Sequence, residues 1–292
     1  MELFKKQSKR IKSLIGAFVL LLLTFVVISA INSPKKLPDH IFIITMDGAR
    51  PDILQDANTP NIDLLISKYG ASYSFNSKTV CPSLTPPTHA SLFTGVVPRI
   101  HGYFNSGNNP RVKTIFERFE ERGHTTALVD GKGGRIRGLE RGVSFFSGGT
   151  NHHQYFTQGI PHVDSMVMDL LIDIFDEHRP KLSFVLLPVV DYSGHKFGHE
   201  SFEYKNAISE ADFAIGNLIE YLKENNLWDR SALVIVADHG MTGFHHGNCY
   251  PTDMTIPIIK YGSPFEAGEM PPQSITEISI DILNMYQIPF NF

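Results

Sequence analysis

A chain of 292 residues, 42% of them hydrophobic and 19% charged, has the composition of an ordinary folded protein with a sizeable core, which excludes a disordered chain. A formal net charge of −4, with no basic stripe beyond the N-terminus, leaves no electrostatic footprint for nucleic acid, and no nucleic-acid binding is expected. Thirteen histidines are the more informative count, because several stand near aspartates in glycine-rich segments, where loops present metal ligands.

At the start of the chain, Lys5, Lys6, Lys9, Arg10 and Lys12 precede Leu14 to Ile31, an uncharged apolar run of 18 residues. That length and its basic flank predict a membrane-spanning signal anchor, with the flank inside and everything from about Asn32 onward exported. Ser29 and Ala30 offer small residues for cleavage and hence a secreted form, but Ile28 occupies a place where a cleavage site wants a small side chain. The predicted organisation is a basic tail, anchor and linker over 1–37 and a catalytic domain over 38–292, periplasmic or extracellular.

In the domain, "IFIITMDG" reads as a buried strand ending at Asp47. "TPNIDLLISKYG" reads as a helix with Pro60 at its start, Ile62, Leu65 and Ile66 on one face and Gly70 as its stop. In "SLTPPTHASLFTG", Pro86 and Pro87 suit the first turn of a helix opening at Thr85. Free backbone donors there favour an anion, which suits a nucleophile that must meet a phosphate or sulfate; the plain alternative is an N-cap threonine. "VKTIFERFEERGH" is an amphipathic helix and "TTALVD" a strand. "VDGKGGR" then puts Lys132 in a loop, either reaching a substrate phosphate or carrying a solvated charge. "KLSFVLLPVVD" predicts a strand ending at Asp191, the stretch from Ser201 to Leu227 a long helix, and "SALVIVADHG" a strand leading to Asp238 and His239.

Strands alternating with helices predict one α/β domain with a mostly parallel central sheet, and ligands in such sheets bind beyond the carboxyl ends of the strands. Three acids, Asp47, Asp191 and Asp238, are placed there. Buried together they repel one another unless a cation sits among them. The neighbouring histidines, His195 in "DYSGHKFGH", His239, and His245 or His246 in "FHHGN", suit zinc or manganese better than magnesium or calcium. Only Cys81 and Cys249 are present; each lies a few residues from a candidate site residue, and an exported domain permits a bond between them.

The stretches "TMDGARPD", "SLTPPTHASLFTGVVPRIHGYFN", "DYSGHKFGH" and "ADHGMTGFHHG" resemble, in order, the alkaline phosphatase superfamily, specifically its type I phosphodiesterase and nucleotide pyrophosphatase branch. That resemblance implies a three-layer αβα fold, two zinc ions and a phosphothreonine intermediate formed on Thr85. It implies Asp47, Thr85, Asp238 and His239 around one zinc, with Asp191, His195 and His246 around the other. His246 is chosen over His245 because Gly247 follows it. Thr88 stands where the family's asparagine is expected to bind a phosphate oxygen. With no arginine close after Thr85, phosphodiester or pyrophosphate substrates, small or lipid-linked, are expected to react faster than monoesters.

Three alternatives are weighed. "HHGN" followed by "PTDMTIP" is similar to phosphoethanolamine transferases, with phosphoglycerol transfer a related possibility. "CPSLT" departs from the sulfatase sequence C-x-P-x-R. A catalytically silent scaffold would be expected to have lost some of the seven proposed ligands.

Overall fold

The computed structural model describes Met1, Leu21, residues 37–148, 152–160 and 162–290, with the backbone alone at His152. The expected anchor, Leu14 to Ile31, lies outside the described residues except for Leu21. Among the described residues no helix is long and apolar enough to cross a membrane. Contacts divide the chain into Met1–Lys36 and Leu37–Phe292.

The second unit is built on an eight-stranded sheet: β1 His40–Met46, β2 Ser72–Lys78, β3 Thr126–Asp130, β4 Phe145–Ser147, β5 Leu182–Leu187, β6 Ser231–Val236, β7 Thr255–Tyr261 and β8 Gly268–Glu269. Their order is β4-β3-β5-β1-β6-β7-β2-β8. The β4 to β6 half is parallel throughout, while β7 runs antiparallel to both β6 and β2. Strands β5 and β6 are buried along their whole length. They accordingly read as unbroken apolar runs, as a parallel strand covered on both faces must. The helices fall into two groups, each in contact within itself: one joins Val163–His178, Val189–Phe197 and Phe202–Glu224, the other Thr85–Thr94, Pro98–His101, Ile115–Glu120 and Ile275–Met285. This is the three-layer α/β arrangement expected.

Register positions the site. Thr45 pairs with Leu186 on one side and Val236 on the other, so the carboxyl ends of β5, β1 and β6 finish level. The expected strand through "KLSFVLLPVVD" is corrected here: β5 stops at Leu187, and Asp191 lies in the first turn of the Val189–Phe197 helix. Pro188 removes the donor a continuing strand would need. All ten residues of the Thr85–Thr94 helix are buried, which explains its weak amphipathic pattern. Its N-cap is Leu84, so Thr85 is the first helical residue and not the cap.

Candidate active site and metal centre

Asp47 follows β1 directly, and the turn after it is a close passage. Gly48 has φ 74°, and a Cβ there would lie 3.3 Å from Asp191 Oδ1; its N–H donates to Asp238 Oδ1 at 3.1 Å. A side chain at this position would strain the backbone and press on Asp191. Asp47, Asp238 and His239 are fully buried. His239 Nε2 lies 3.3 Å from Thr85 Oγ1, 3.4 Å from Asp47 Oδ1 and 3.3 Å from Asp238 Oδ2.

Beside this set stands a second one. His246 Nε2 is 3.3 Å from Asp191 Oδ1, His195 Nε2 is 3.4 Å from the same oxygen, and the two nitrogens are 3.2 Å apart. The rings of His239 and His246 stack with centroids 3.6 Å apart, which brings the two sets into contact.

All three histidines are oriented in the same manner. His239 Nδ1 is 2.9 Å from Gly240 O, His246 Nδ1 is 2.8 Å from Ser83 O, and His195 Nδ1 is 2.8 Å from Phe244 O. A carbonyl accepts only, so the network assigns the proton to each Nδ1 and the lone pair to each Nε2. Electron-rich atoms therefore converge on one another at 3.2–3.4 Å. Asp47 Oδ1 and Asp191 Oδ1 are buried with no hydrogen-bond donor. Four ligands on a tetrahedral zinc, with bonds of about 2.0 Å, are separated by about 3.3 Å, so the donor set fits such an ion. Backbone carbonyls orienting the ring from behind are the usual support for a metal-ligating histidine. The clusters Asp47–Asp238–His239 and Asp191–His239–His246 are groups that could hold a metal ion.

Charge makes the same demand. Three carboxylates share the site with one ammonium, that of Lys132, whose Nζ is 2.8 Å from Asp47 Oδ2 and 2.7 Å from Asp191 Oδ2. Burial, reinforced by Asp238, raises the Asp47 pKa. For Asp191, burial is outweighed by Lys132, with help from His195 and His246, and the carboxyl is held well below the usual range. Burial, helped by the neighbouring His246, pushes His239 down to about 3, which keeps it neutral and able to donate its lone pair. Lys132 itself is desolvated, yet Asp191, Asp47 and Asp238 raise its pKa above the ordinary lysine range.

The structure thus brings together Asp47, Thr85, Asp191, His195, Asp238, His239 and His246. The fold also places Thr88 and Lys132. Thr88 is fully buried and does not line the cleft; its hydroxyl donates to Leu84 O at 2.7 Å and lies within hydrogen-bond distance of Thr85 O and Asp238 Oδ2. It braces the helix start and Asp238. Lys132 is not a solvated loop charge: its side chain is 8% exposed and donates to Thr85 Oγ1 at 3.1 Å. Asp130, at the end of β3, shapes its loop by accepting from the N–H groups of Lys132, Gly134 and Ile136. The signal was present in the sequence, because "TTALVD" ends in an acid and glycine as the other site strands do.

Ser83 was also missed as a positioning residue. Its Oγ accepts from Gly247 N at 3.2 Å and Cys249 N at 3.4 Å, tying the Thr85 approach to the His246 loop. Cys81 and Cys249 are disulfide-bonded, which adds a second tie and removes Cys81 as a sulfatase-type nucleophile. A cleft of about 550 Å³ opens over Thr85, lined also by Lys132, Arg135, Tyr192, Lys196 and His246.

Residues 41–136 and 144–258 match the family described as type I phosphodiesterase / nucleotide pyrophosphatase. An uncharacterized pyrophosphatase/phosphodiesterase of Schizosaccharomyces pombe is 28% identical over 72% of this chain and 46% of its own length. Ectonucleotide pyrophosphatase/phosphodiesterase family member 7 of Rattus norvegicus is 26% identical over 69% of this chain and 50% of its own. The chain spans about half the length of these curated relatives. Among solved structures, murine ectonucleotide pyrophosphatase/phosphodiesterase 5, an inactive threonine-to-alanine variant in complex with AMP, superposes with a TM-score of 0.72 at 14% identity, covering 88% of this chain and 96% of that one. Sequence match and shared fold lead to one conclusion: this chain belongs to the type I phosphodiesterase/nucleotide pyrophosphatase family, within the alkaline phosphatase superfamily.

Proposed function

We propose that the chain hydrolyses phosphodiester or pyrophosphate bonds through a phosphothreonine on Thr85, with two zinc ions, or manganese in their place. Asp47, Thr85, Asp238 and His239 would hold one ion, and Asp191, His195 and His246 the other. When bound, the metals supply Lewis acidity that favours the threonine alkoxide and offsets phosphoryl charge. Thr85 Oγ1 attacks phosphorus at the mouth of the cleft while the bond to the leaving alcohol breaks. Water then attacks the same phosphorus and releases the threonine. His239 holds a fixed lone pair beside Thr85, Ser83 and the disulfide hold the His246 loop, and the cleft's Tyr192, Arg135 and Lys196 face the rest of the substrate.

The observation that carries this reading is the convergence of three oriented Nε2 lone pairs and three carboxylate oxygens without a hydrogen-bond donor, Asp47 Oδ1, Asp47 Oδ2 and Asp191 Oδ1, beside Thr85. The test is hydrolysis of an aryl phosphodiester by the full-length chain. Thr85→Ala is expected to lower the rate on the order of 10³-fold or more with metal content retained, and Thr85→Ser to keep partial activity. Near-normal turnover by Thr85→Ala contradicts the reading.

Exposure of this domain outside the cytoplasm, anchored by Leu14 to Ile31, belongs to the same proposal. It is supported by the basic flank of that run and by the disulfide, which suits an oxidising compartment. Reporter fusions after Ser33 check it: a reporter active only on the cytoplasmic side contradicts it.

A further inference from the structure

We propose that Lys132 is a catalytic residue, a third fixed positive charge on the transferred phosphoryl group, and that it lets this site turn over dianionic phosphomonoesters beside diesters. The inference rests on Thr85 being the nucleophile. It reverses the expectation that monoesters are poorly served, which followed from the lack of an arginine soon after Thr85. The positive group comes instead from 47 residues further on, carried to the same end of the sheet by β3.

An ammonium has three N–H donors, and three acceptors surround this one: Asp191 Oδ2 at 2.7 Å, Asp47 Oδ2 at 2.8 Å and Thr85 Oγ1 at 3.1 Å. It binds the outer oxygens of the two carboxylates. Their inner oxygens, Asp47 Oδ1 and Asp191 Oδ1, have no hydrogen-bond donor and turn toward the histidines, while Asp47 Oδ2 meets the ammonium as an ion pair without a hydrogen bond. Lys132 therefore does not stand in a metal's place but beside it. Its loop is pinned at close quarters: a Cβ on Gly131 would lie 2.2 Å from Leu186 O, and Asp130 Oδ1 accepts from Lys132 N at 2.8 Å. The ammonium also lines the cleft, so it is positioned for substrate as well as for the carboxylates.

When Thr85 Oγ1 forms its bond to phosphorus, the nonbridging oxygens come to lie one atom from an oxygen that Nζ already touches. In that step the bond from phosphorus to the aryl oxygen breaks, the aryloxide leaves with the bonding pair, and the threonine proton passes to solvent. In the next, a water oxygen bonds to phosphorus, and Thr85 Oγ1 leaves with its pair and regains a proton from that water. A monoester carries two negative charges on these oxygens and a diester one. A fixed cation that strengthens its contacts as charge gathers thus favours the monoester more.

The experiment compares kcat/KM for p-nitrophenyl phosphate and bis(p-nitrophenyl) phosphate, using the full-length zinc-loaded chain and its Lys132→Met and Lys132→Arg variants, with zinc content and thermal unfolding measured on each. The unaltered chain is expected to cleave the monoester within about tenfold of the diester. Lys132→Met should lose about 10²-fold or more on the monoester and about tenfold or less on the diester, a loss typical of one oriented donor. Lys132→Arg should keep the ratio within a few fold. Inhibition by inorganic phosphate should weaken at least about tenfold in Lys132→Met. Equal losses on both esters, or a parallel loss of zinc, would assign Lys132 to holding Asp47 and Asp191 and overturn the proposal. So would an unaltered chain that cleaves the diester but is more than about 10³-fold slower on the monoester, a result that needs no variant to fold. Turnover of neither ester would instead overturn the hydrolase reading itself.

Discussion

The two donor sets meet across Thr85 yet are built from different material. Asp47 follows β1 directly, Asp238 and His239 lie just beyond the end of β6, and all three are fully buried. Asp238 Oδ1 accepts from Gly48 N and His239 N, His239 Nδ1 is turned to Gly240 O, and Asp47 Oδ2 faces the Lys132 ammonium. In the other set Asp191 is buried and the His246 side chain is 6% exposed, but the His195 side chain is 42% exposed, and His246 rides a loop held by Ser83 and the disulfide. A strand end fixes a ligand through the whole sheet, whereas a loop ligand is only as well placed as its local ties. The difference predicts that the nucleophile's own set is held more rigidly and that the outer set is the more readily exchanged.

The sharpest way to break this contrast is to remove one ligand from each set. Asp238→Ala should abolish diester turnover, by about 10³-fold or more, and added zinc should not restore it, because Gly48, His239 and Thr88 lose their partner as well. His195→Ala should weaken zinc binding about 10- to 100-fold, with activity recovered by excess zinc. Recovery of Asp238→Ala, or irreversible loss in His195→Ala, would erase the distinction.

Next in size is the staple. Reducing Cys81–Cys249 closes off a cross-link over 168 residues, and its loss should cost about 2–5 kcal/mol by denaturant titration. An unchanged midpoint would show that Ser83 holds the loop alone.

Below the rigid set, His101 tests the footing of the Thr85 helix. Its Nδ1 accepts from Tyr103 N at 3.0 Å, so the network assigns its proton to Nε2, which is 2.9 Å from Ser91 Oγ. Protonation would turn two donors face to face. Burial lowers its pKa from 6.5 to about 4, so the unfolded chain binds this proton first. Stability is full above pH 6.5 and falls as pH drops from there toward 4, by on the order of 3 kcal/mol. His101→Gln should flatten stability across that window; an unaltered slope contradicts the assignment.

The smallest expected effect is at Ser83. Ser83→Ala leaves Gly247 and Cys249 N–H groups without their acceptor and should cost about 1 kcal/mol, with turnover within about tenfold of normal. A loss comparable to that of Thr85→Ala would mean that the nucleophile is misassigned.

The same contrast governs what the sequence could reveal. Strands β1, β3 and β6 were legible because buried parallel strands leave unbroken apolar runs, and the acids that end them mark the site. The antiparallel β2, "SYSFNSK", was not. It alternates buried and exposed positions with polar side chains on both faces, so its pairing with β7 depends on partners remote in sequence. Asp191 was placed on the wrong element, since Pro188 ends the strand without interrupting the apolar run. The contacts of Thr88 were not legible because helical spacing does not say which way a hydroxyl turns. Lys132 was left undecided because its burial depends on two carboxylates, Asp47 and Asp191, that only the sheet order brings to it.

The most direct measurement of the central claim is peptide mapping of the full-length chain, quenched in acid during turnover of bis(p-nitrophenyl) phosphate. The account predicts a nitrophenyl phosphoryl ester on Thr85, present only while substrate is being consumed and absent in Thr85→Ala. A phosphoryl group on Ser83, or steady turnover with no phosphorylated residue in either protein, would contradict it.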